Sequence, residues 1–151
     1  MPAHRPPGVL AENKRALFDY EIIERMDAGI ELLGHEVKSA KLGRCHLTGS
    51  FVHIRGGEAW LTNATIAPYA KASGIGTYDP TRSRRLLLHR TDLHRLIGKH
   101  GAERLTIIPL RLVVRRGLIK VEIALARGKR KFEKRETIKR REDERRMRRE
   151  R

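Results

Sequence analysis

The clearest pattern in the chain is a large apolar residue at every second position of two neighbouring stretches, 108–114 and 119–125. Alternation of period two is typical of β-strands that are buried on one face only. The pattern therefore predicts an antiparallel hairpin across residues 116–117, with one face towards a core and the other towards solvent or a partner. Pro109 has no N–H to donate, so its position is predicted to be an edge or a bulge. The polar face carries Arg111, Arg115, Lys120 and Glu122.

Two further hairpins are predicted earlier in the chain. In the first, the apolar and β-forming stretches 18–23 and 30–33 are joined by a turn at 27–29. In the second, residues 51–55 and 58–62 flank a pair of glycines, which tolerate the positive φ of a tight turn.

A run of three leucines at 86–88 adds one more extended segment. Successive side chains of a strand point to opposite faces, so Leu87 is turned away from Leu86 and Leu88. Leu87 is therefore either covered by protein or meets a partner.

The remaining segments predict two short helices and a long loop. Residues 36–42 and 91–99 have helical character, and Thr91 is a candidate N-cap. Residues 70–85 are rich in glycine and charge, which favours an exposed loop. Several antiparallel strands with so few helices predict a mainly β fold, a small barrel or sandwich, for which an antiparallel β-barrel with OB-fold-like topology and short outlying α-helices is a natural solution.

The two ends of the chain differ from its middle. Residues 1–12 hold three of the six prolines and are expected to form a flexible lead-in, with order beginning near Asn13. Residues 127–151 hold 14 Lys/Arg and 6 Asp/Glu with few large apolar side chains, too few to fold alone. Glu–Arg pairs at i, i+4 would favour a helix there once a polyanion is bound. The expected division is a lead-in, a β-barrel domain at 13–126 and a basic C-terminal tail at 127–151, unless the tail only serves as a solvating charge run.

The charge of the chain indicates the class of partner. The formal net charge is +16, which favours a polyanion, and nucleic acid is the first candidate. An anionic membrane is disfavoured, because no apolar run approaches the roughly 18 to 20 residues of a spanning helix and the N-terminus has no signal-peptide core. Cys45 is the only cysteine, so no internal disulfide forms and a reducing, cytoplasmic location is expected. The histidines lack metal-site spacing and no catalytic constellation accompanies them, so we expect no metal, no cofactor and no enzyme activity.

Four segments, in order along the chain, carry a family resemblance. They are ENKRA at 12–16, AGI with GHEVKS at 28–39, DPTRSRRLLLH at 79–89 and GKRKFEKRETIK at 128–139. With these motifs the chain resembles the bacterial tmRNA-binding family called small protein B, or SsrA-binding protein. The resemblance implies an OB-fold-like barrel and a role in trans-translation, in which the tRNA-like domain of alanyl-tmRNA is brought to the A site of a ribosome stalled on a truncated message. It further implies delivery with elongation factor Tu and GTP, and we expect the chain to act as a monomer.

The resemblance also implies which residues bind tmRNA. Asp27 stands where the family usually has Glu, and it could accept a hydrogen bond from the RNA, orient a neighbouring arginine, or simply form a turn. Lys38 could equally be a structural ion-pair partner of Glu36. The residues implied are Asn13, Lys14, Arg15, Asp27, Lys38, Leu87 and Lys120.

In the tail, the resemblance implies a hinge followed by contacts with the ribosome's decoding region. An aromatic ring at Phe132 would stack on an rRNA base, and the helix beyond would lie in the vacant mRNA channel. The tail residues implied are Gly128, Lys129, Phe132, Glu133, Lys134, Arg135 and Lys139. Leu17-Phe18 and Gly49-Ser50-Phe51 depart from the family's usual Arg-His and Asp-Ser-Tyr.

Two other classes of function fit a small basic chain. One is an RNA-processing enzyme such as a nuclease, which would turn over RNA with a divalent metal. The other is a structural ribosomal protein, which would sediment with translating as well as stalled ribosomes.

Overall fold

In a computed structural model, the described parts of the chain are residues 6–70, 76–129 and 131–149, except the side chains of 131–134 and 137. The strands in these ranges are β1 (Val9–Glu12), β2 (Tyr20–Ile30), β3 (Cys45–His46), β4 (Phe51–Arg55), β5 (Glu58–Thr62), β6 (Thr65–Ile66), β7 (Arg84–Leu87), β8 (Thr106–Arg115) and β9 (Leu118–Gly128). The helices are α1 (Ala16–Asp19), α2 (Gly34–Lys41), α3 (Arg90–Ala102) and α4 (Lys131–Arg149).

The strands form an antiparallel sheet that closes on itself. Its order is β1-β8-β4-β5-β7-β2-β9, and β9 also pairs with β8, which completes a ring of six strands. Strand β1 lies beside β8 outside this ring, and β3 pairs with β6 separately. The prediction of a mainly β, antiparallel, barrel-like fold is confirmed, and closure of the ring removes most of the exposed strand edge.

The core lies inside the ring. Val121, Ile123 and Leu125 of β9 are fully buried there, as the period-two pattern predicts. Their burial in one contiguous cluster with residues of the other strands supplies the hydrophobic stabilisation of the fold.

The prediction for β8 is only half right, because a bulge divides the strand. Pro109 pairs with Ile123 and Arg111 with Glu122, so the register shifts between them, as predicted for the proline. On one side of the bulge, Leu112 packs into the main core. On the other, Ile108 and Leu110 pack instead in a smaller cluster with Ala16, Ala124 and Ala126.

The first predicted hairpin is wrong. Residues 20–30 form the single strand β2, which pairs with β9 along most of its length and with β7 at its end. The segment 27–29 therefore lies within a strand and not in a turn. The long partner β9 is about a hundred residues away in sequence, so its pairing overrode the local turn signal.

The N-terminal expectation also differs from the structure. Residues 9–12 are not a lead-in but a strand, in which Val9 pairs with Val113 and Glu12 with Arg111. Leu10 and Ala11 are buried. This strand forms because β4 pairs with β8 only near Ile107. The rest of that edge of β8 is then available to pair with β1.

The predicted exposed loop at 70–85 is only partly right, because Arg84 is buried in β7, and residues 71–75 lie outside the described ranges. The second hairpin and the two helices agree with the predictions to within a few residues. The hairpin 51–55 and 58–62 is confirmed, as are both predicted helices. Thr91 is not the N-cap of α3, which begins after His89 without a side-chain cap. At the C-terminus, β9 continues to Gly128, two residues beyond the expected boundary, and α4 forms a helix of 19 residues. None of the helices in the described part of the chain is long and apolar enough to cross a membrane.

Candidate nucleic-acid interface

Three adjacent strands place Leu87, Gly29 and Lys120 side by side. Gly29 of β2 pairs with Leu87 of β7 on one side and with Lys120 of β9 on the other. Residues paired across antiparallel strands point to the same face, which here is the outer face of the ring. Leu87 is 44% exposed whereas Leu86 is 1% exposed, so Leu87 is turned away from the core as predicted.

The glycine allows this arrangement. A Cβ atom built on Gly29 would lie 3.2 Å from Cβ of Leu87, closer than most such contacts in proteins. The absence of a side chain at this position lets Leu87 lie over β2. We call the three residues Leu87, Gly29 and Lys120 the outer row.

Next to the outer row, Asp27 lies within an ion-pair chain. Asp27 and Glu122 are paired across β2 and β9, and two like charges at this spacing repel. Arg115 bridges them, since it donates through Nη1 to Asp27 and through Nη2 to Glu122 at 2.7 Å. Arg111 donates through Nε to the other oxygen of Glu122 at 2.9 Å. Of the three roles considered for Asp27, the turn is wrong and the orientation of a neighbouring arginine is the one this geometry supports.

Asn13 is held firmly against β8. Its side-chain Nδ2 donates to the Pro109 carbonyl at 2.9 Å and its backbone N–H to the Leu110 carbonyl at 2.8 Å. These bonds fix the start of the turn into α1. Lys14 follows with an exposed side chain.

A continuous surface joins Asn13 and Lys14 to Asp27. Arg25 and Arg111 line a cleft of about 270 Å³ together with Asn13 and Lys14. The same two arginines line a neighbouring concavity of about 320 Å³ together with Asp27. Arg25 was not singled out from the sequence, because it fell between the predicted strand 18–23 and the predicted turn 27–29 and was therefore assigned to no face.

Arg15 and Lys38 lie apart from the outer row. Arg15 pairs with Asp19 at 3.6 Å and lies over the ring of Phe18. It shares a smaller cleft of about 180 Å³ with Asn13 and Lys14. Lys38 is exposed on α2, with Nζ 5.7 Å from the centroid of the Tyr69 ring.

Lys38 is not the ion-pair partner of Glu36. The two positions are roughly 200° apart around the helix, so they face opposite ways. Glu36 is buried and bonds instead to Arg82 and Arg84, with Arg84 Nη2 at 2.6 Å. Tyr78 donates its hydroxyl to the same carboxylate at 2.8 Å.

This buried cluster lowers the pKa of Glu36 to about 2. Burial favours the neutral acid, but hydrogen bonds from Arg82, the Leu33 backbone N–H, Arg84 and Tyr78 outweigh it. The cluster was missed at the sequence level, although one signal was present. Arg84 is two residues before the buried Leu86, so alternation places both on the inner face.

The start of the tail is hydrogen-bonded to α1. The Lys129 backbone N–H donates to the Asp19 carbonyl at 2.9 Å, and its Nζ donates to the Leu17 carbonyl at 2.8 Å. Gly128, the predicted hinge, is the last residue of β9, opposite Tyr20. Lys129 therefore fastens the root of the tail to the barrel.

In α4, the side chains of Arg135 and Lys139 are exposed. They are four residues apart, so they lie on the same side of the helix. The predicted contacts of Phe132, Glu133 and Lys134 depend on side chains outside the described residues.

Known proteins match this chain over nearly all of its length. The family model described as "SmpB protein" matches residues 10–151. An SsrA-binding protein of Trichodesmium erythraeum (strain IMS101) is 49% identical over 139 residues, which cover 92% of this chain and 89% of that protein. An SsrA-binding protein of Sulfurihydrogenibium sp. (strain YO3AOP1) is 54% identical over 131 residues, covering 87% of this chain and 86% of that protein.

A solved structure shares the fold as well. It is described as "tmRNA-SmpB: a journey to the center of the bacterial ribosome", and the matching chain is 47% identical with a TM-score of 0.66. The match covers 83% of this chain and 87% of that one. Identity of this extent, together with a shared fold, means that the chain belongs to the SmpB protein family.

Proposed function

We propose that this protein is a tmRNA-binding adaptor of trans-translation. It binds the tRNA-like domain of alanyl-tmRNA and brings it to the A site of ribosomes stalled on truncated mRNA. The similarity to SsrA-binding proteins and to the SmpB chain of a tmRNA-SmpB structure supports this activity. The observation that carries it is the outer row, which continues through Asp27, Arg25 and Arg111 to Asn13 and Lys14 on a chain of net charge +16.

The chemistry of this face suits a shaped RNA. Lys120 and Lys14 supply cations for phosphates, and phosphate contacts give much of the affinity for RNA. Leu87 supplies an apolar surface for a ribose or the face of an unstacked base. Asp27 holds Arg115 in place, so it acts through that guanidinium. Arg15 and Lys38 would extend the contact beyond the outer row.

The tail would act on the ribosome. With Gly128 as its hinge, once the bonds of Lys129 to α1 are released, α4 would enter the empty mRNA channel and place residues 132–135 and Lys139 at the decoding region. The helix exposes nearly all its described side chains, so we expect it to be marginally stable in the free protein. We expect it to be stabilised when it is bound in the mRNA channel. Elongation factor Tu with GTP would deliver the complex in the cytoplasm, and the protein, as a monomer without cofactor, would do no chemistry itself.

The outer row can be tested with a matched control. We expect Leu87→Ala combined with Lys120→Ala to weaken binding to the isolated tRNA-like domain by about tenfold or more, which is about 1.4 kcal/mol or more. Leu42→Ala combined with Lys41→Ala makes the same chemical change at two exposed positions of α2 and its end. Equal affinities of the two double variants, measured by fluorescence anisotropy, would exclude the outer row as the binding face.

The tail is tested by truncation after Lys129, which leaves β9 and the bonds to α1 intact. We expect binding to the tRNA-like domain to persist. Tagging of peptides on a truncated message in a reconstituted translation system should be lost. Loss of RNA binding to the same extent would contradict the proposal that the barrel binds RNA and the tail acts on the ribosome. Turnover of the RNA by the intact protein would contradict the adaptor function itself.

A further inference from the structure

The cleft of about 270 Å³ lies where α1 approaches β2 and β8. Its walls include two kinds of side chain. Lys14, Arg25 and Arg111 are cations, whereas Leu17 and Leu110 are apolar. A cleft that combines positive charge with an apolar wall suits a ligand that has both an anionic and an aromatic part.

The cations of the cleft exceed its acids. Glu12 is the single acid among the described residues that line it, so three cations face one carboxylate. Arg111 is oriented by Glu122, with Nε 2.9 Å from its carboxylate, which leaves its Nη atoms for other acceptors. Arg25 is exposed and has no ion-pair partner within the described ranges of the chain. This excess of positive charge favours a phosphate.

The apolar part of the cleft lies beside these cations. Leu110 is 6% exposed and forms a fixed wall, whereas Leu17 is 48% exposed on α1. Asn13 uses Nδ2 to bond the Pro109 carbonyl, so the remaining polar atom of its amide, Oδ1, is an acceptor. An apolar wall with one oriented acceptor suits a nucleobase and the 2′-hydroxyl of its ribose.

The size of the cleft limits its occupant. Ligand pockets typically enclose about 300 to 1,000 Å³, so this cleft is at the small end. It has room for about one nucleotide but not for a base pair. Sequence-selective binding of RNA mostly uses unpaired bases that leave the stack.

We propose that this cleft binds a single unpaired nucleotide of the RNA. Its phosphate lies between Lys14, Arg25 and Arg111, and its base packs against Leu17 and Leu110. The inference rests on the proposed function, since the same RNA supplies the nucleotide. It assigns binding roles to Arg25, Arg111, Leu17 and Leu110, and it joins the Asn13 segment to the outer row through one continuous contact.

The phosphate contact is tested with Arg25→Gln. Arg44→Gln is the matched control, because it removes the same charge from an exposed position outside the cleft. Binding of each variant to the isolated tRNA-like domain is measured over a series of salt concentrations. We expect Arg25→Gln to bind about fivefold more weakly and to lower the slope of log K against log salt by about 0.7 to 0.9, the share of one phosphate. A slope equal to that of Arg44→Gln overturns the inference.

The nucleotide itself is tested by chemical probing of the same RNA. We expect the wild-type protein to protect one unpaired nucleotide that becomes reactive again with Arg25→Gln and with Leu17→Asn. Leu42→Asn, the matched exposed leucine, should leave it protected. If no nucleotide responds to both cleft variants, the cleft is not a nucleotide site.

The outcomes separate the two proposals. If the wild-type protein prefers the tRNA-like domain no more than an unrelated hairpin RNA, the proposed function fails. If the wild type binds the domain selectively but Arg25→Gln and Arg44→Gln behave alike, only the cleft inference fails.

Discussion

Glu36 accepts two hydrogen bonds from Arg84, from Nε at 2.8 Å and from Nη2 at 2.6 Å, and both side chains are fully buried. Arg84, the first residue of β7, also donates to the carbonyls of Ala64 and Pro80, so its donors are shared between α2 and two connections. A buried ion pair of this kind is costly to break, because one charge is left without a partner away from water. The pair fixes β7, the strand that carries Leu87, against α2.

The first prediction concerns the removal of this carboxylate charge. We expect Glu36→Gln to lower the free energy of unfolding by about 3 to 5 kcal/mol, because Arg84 stays buried without a counter-charge. Glu31→Gln is the control, since Glu31 pairs with Arg85 at 3.6 Å with both side chains largely exposed. The control should change the free energy by less than about 1 kcal/mol. Urea unfolding curves of the three proteins measure both effects, and similar losses would contradict the assigned role of the buried pair.

The second prediction is the loss of stability in acid. The pKa of Glu36 is lowered to about 2 in the folded protein from an ordinary value of 4.5. A carboxyl group whose pKa is lowered by folding stabilises the folded protein at pH values above its unfolded-state pKa. For Glu36 this contribution is lost as the pH falls from about 4.5 towards 2. Unfolding free energies measured across this window should fall more steeply for the wild type than for Glu36→Gln. Parallel curves would show that folding does not lower the pKa of Glu36.

The third prediction concerns the tyrosine of the cluster. Burial, the hydrogen bond to Glu36 and the negative charge of that carboxylate raise the pKa of Tyr78 to about 12. The raised pKa adds stability that is fully present below pH 10 and is lost as the pH rises towards 12. The tyrosinate absorbance of the wild type minus that of Tyr78→Phe should therefore titrate near 12. A difference curve centred near 10 would contradict the hydrogen bond.

The fourth prediction concerns Gly29. In Gly29→Ala, the added Cβ would press on Leu87 at 3.2 Å, so Leu87 must shift by a few tenths of an ångström. We expect affinity for the tRNA-like domain to fall about threefold to tenfold, about 1 kcal/mol. In a Leu87→Ala background the same change should have little effect, because coupled neighbours are not additive.

The control for Gly29 is Gly98→Ala in α3. A Cβ at Gly98 meets no atom within 4 Å, so RNA binding should be unchanged. Stability should rise by about 0.5 to 1 kcal/mol, since alanine favours a helix interior over glycine. If the effects of Gly29→Ala and Leu87→Ala simply add, the contact between them does not control binding.

The candidate interface was predicted from sequence only in part. Alternation within a strand was enough to place Leu87 and Lys120 on the outer face, because that alternation is a local property of the extended backbone. That they are neighbours could not be read in this way. Gly29 brings them together, and the sequence pattern had placed it in a turn.

The ion-pair partner of Glu36 could likewise not be predicted from the sequence. The sequence showed that Glu36, Arg82 and Arg84 are charged, but it suggested Lys38 as the partner of Glu36. The burial of Arg84 and its pairing with α2 depend on strand β7 lying at one place in the ring. Arg25 likewise became part of a candidate site only when β2 was found to be one continuous strand.

By itself, the sequence determined the class of fold, the late β-hairpin, two of the helices and the attraction to a polyanion, because these follow from local periodicity, turn chemistry and net charge. The tertiary structure decided that β1 pairs with β8, that 27–29 lies within a strand, that Glu36 is buried with Arg84, and that Lys129 ties the tail to α1. These features depend on pairing between segments far apart in the chain. Such pairing is set by competition for strand edges and core space across the whole ring, which no local window of sequence records.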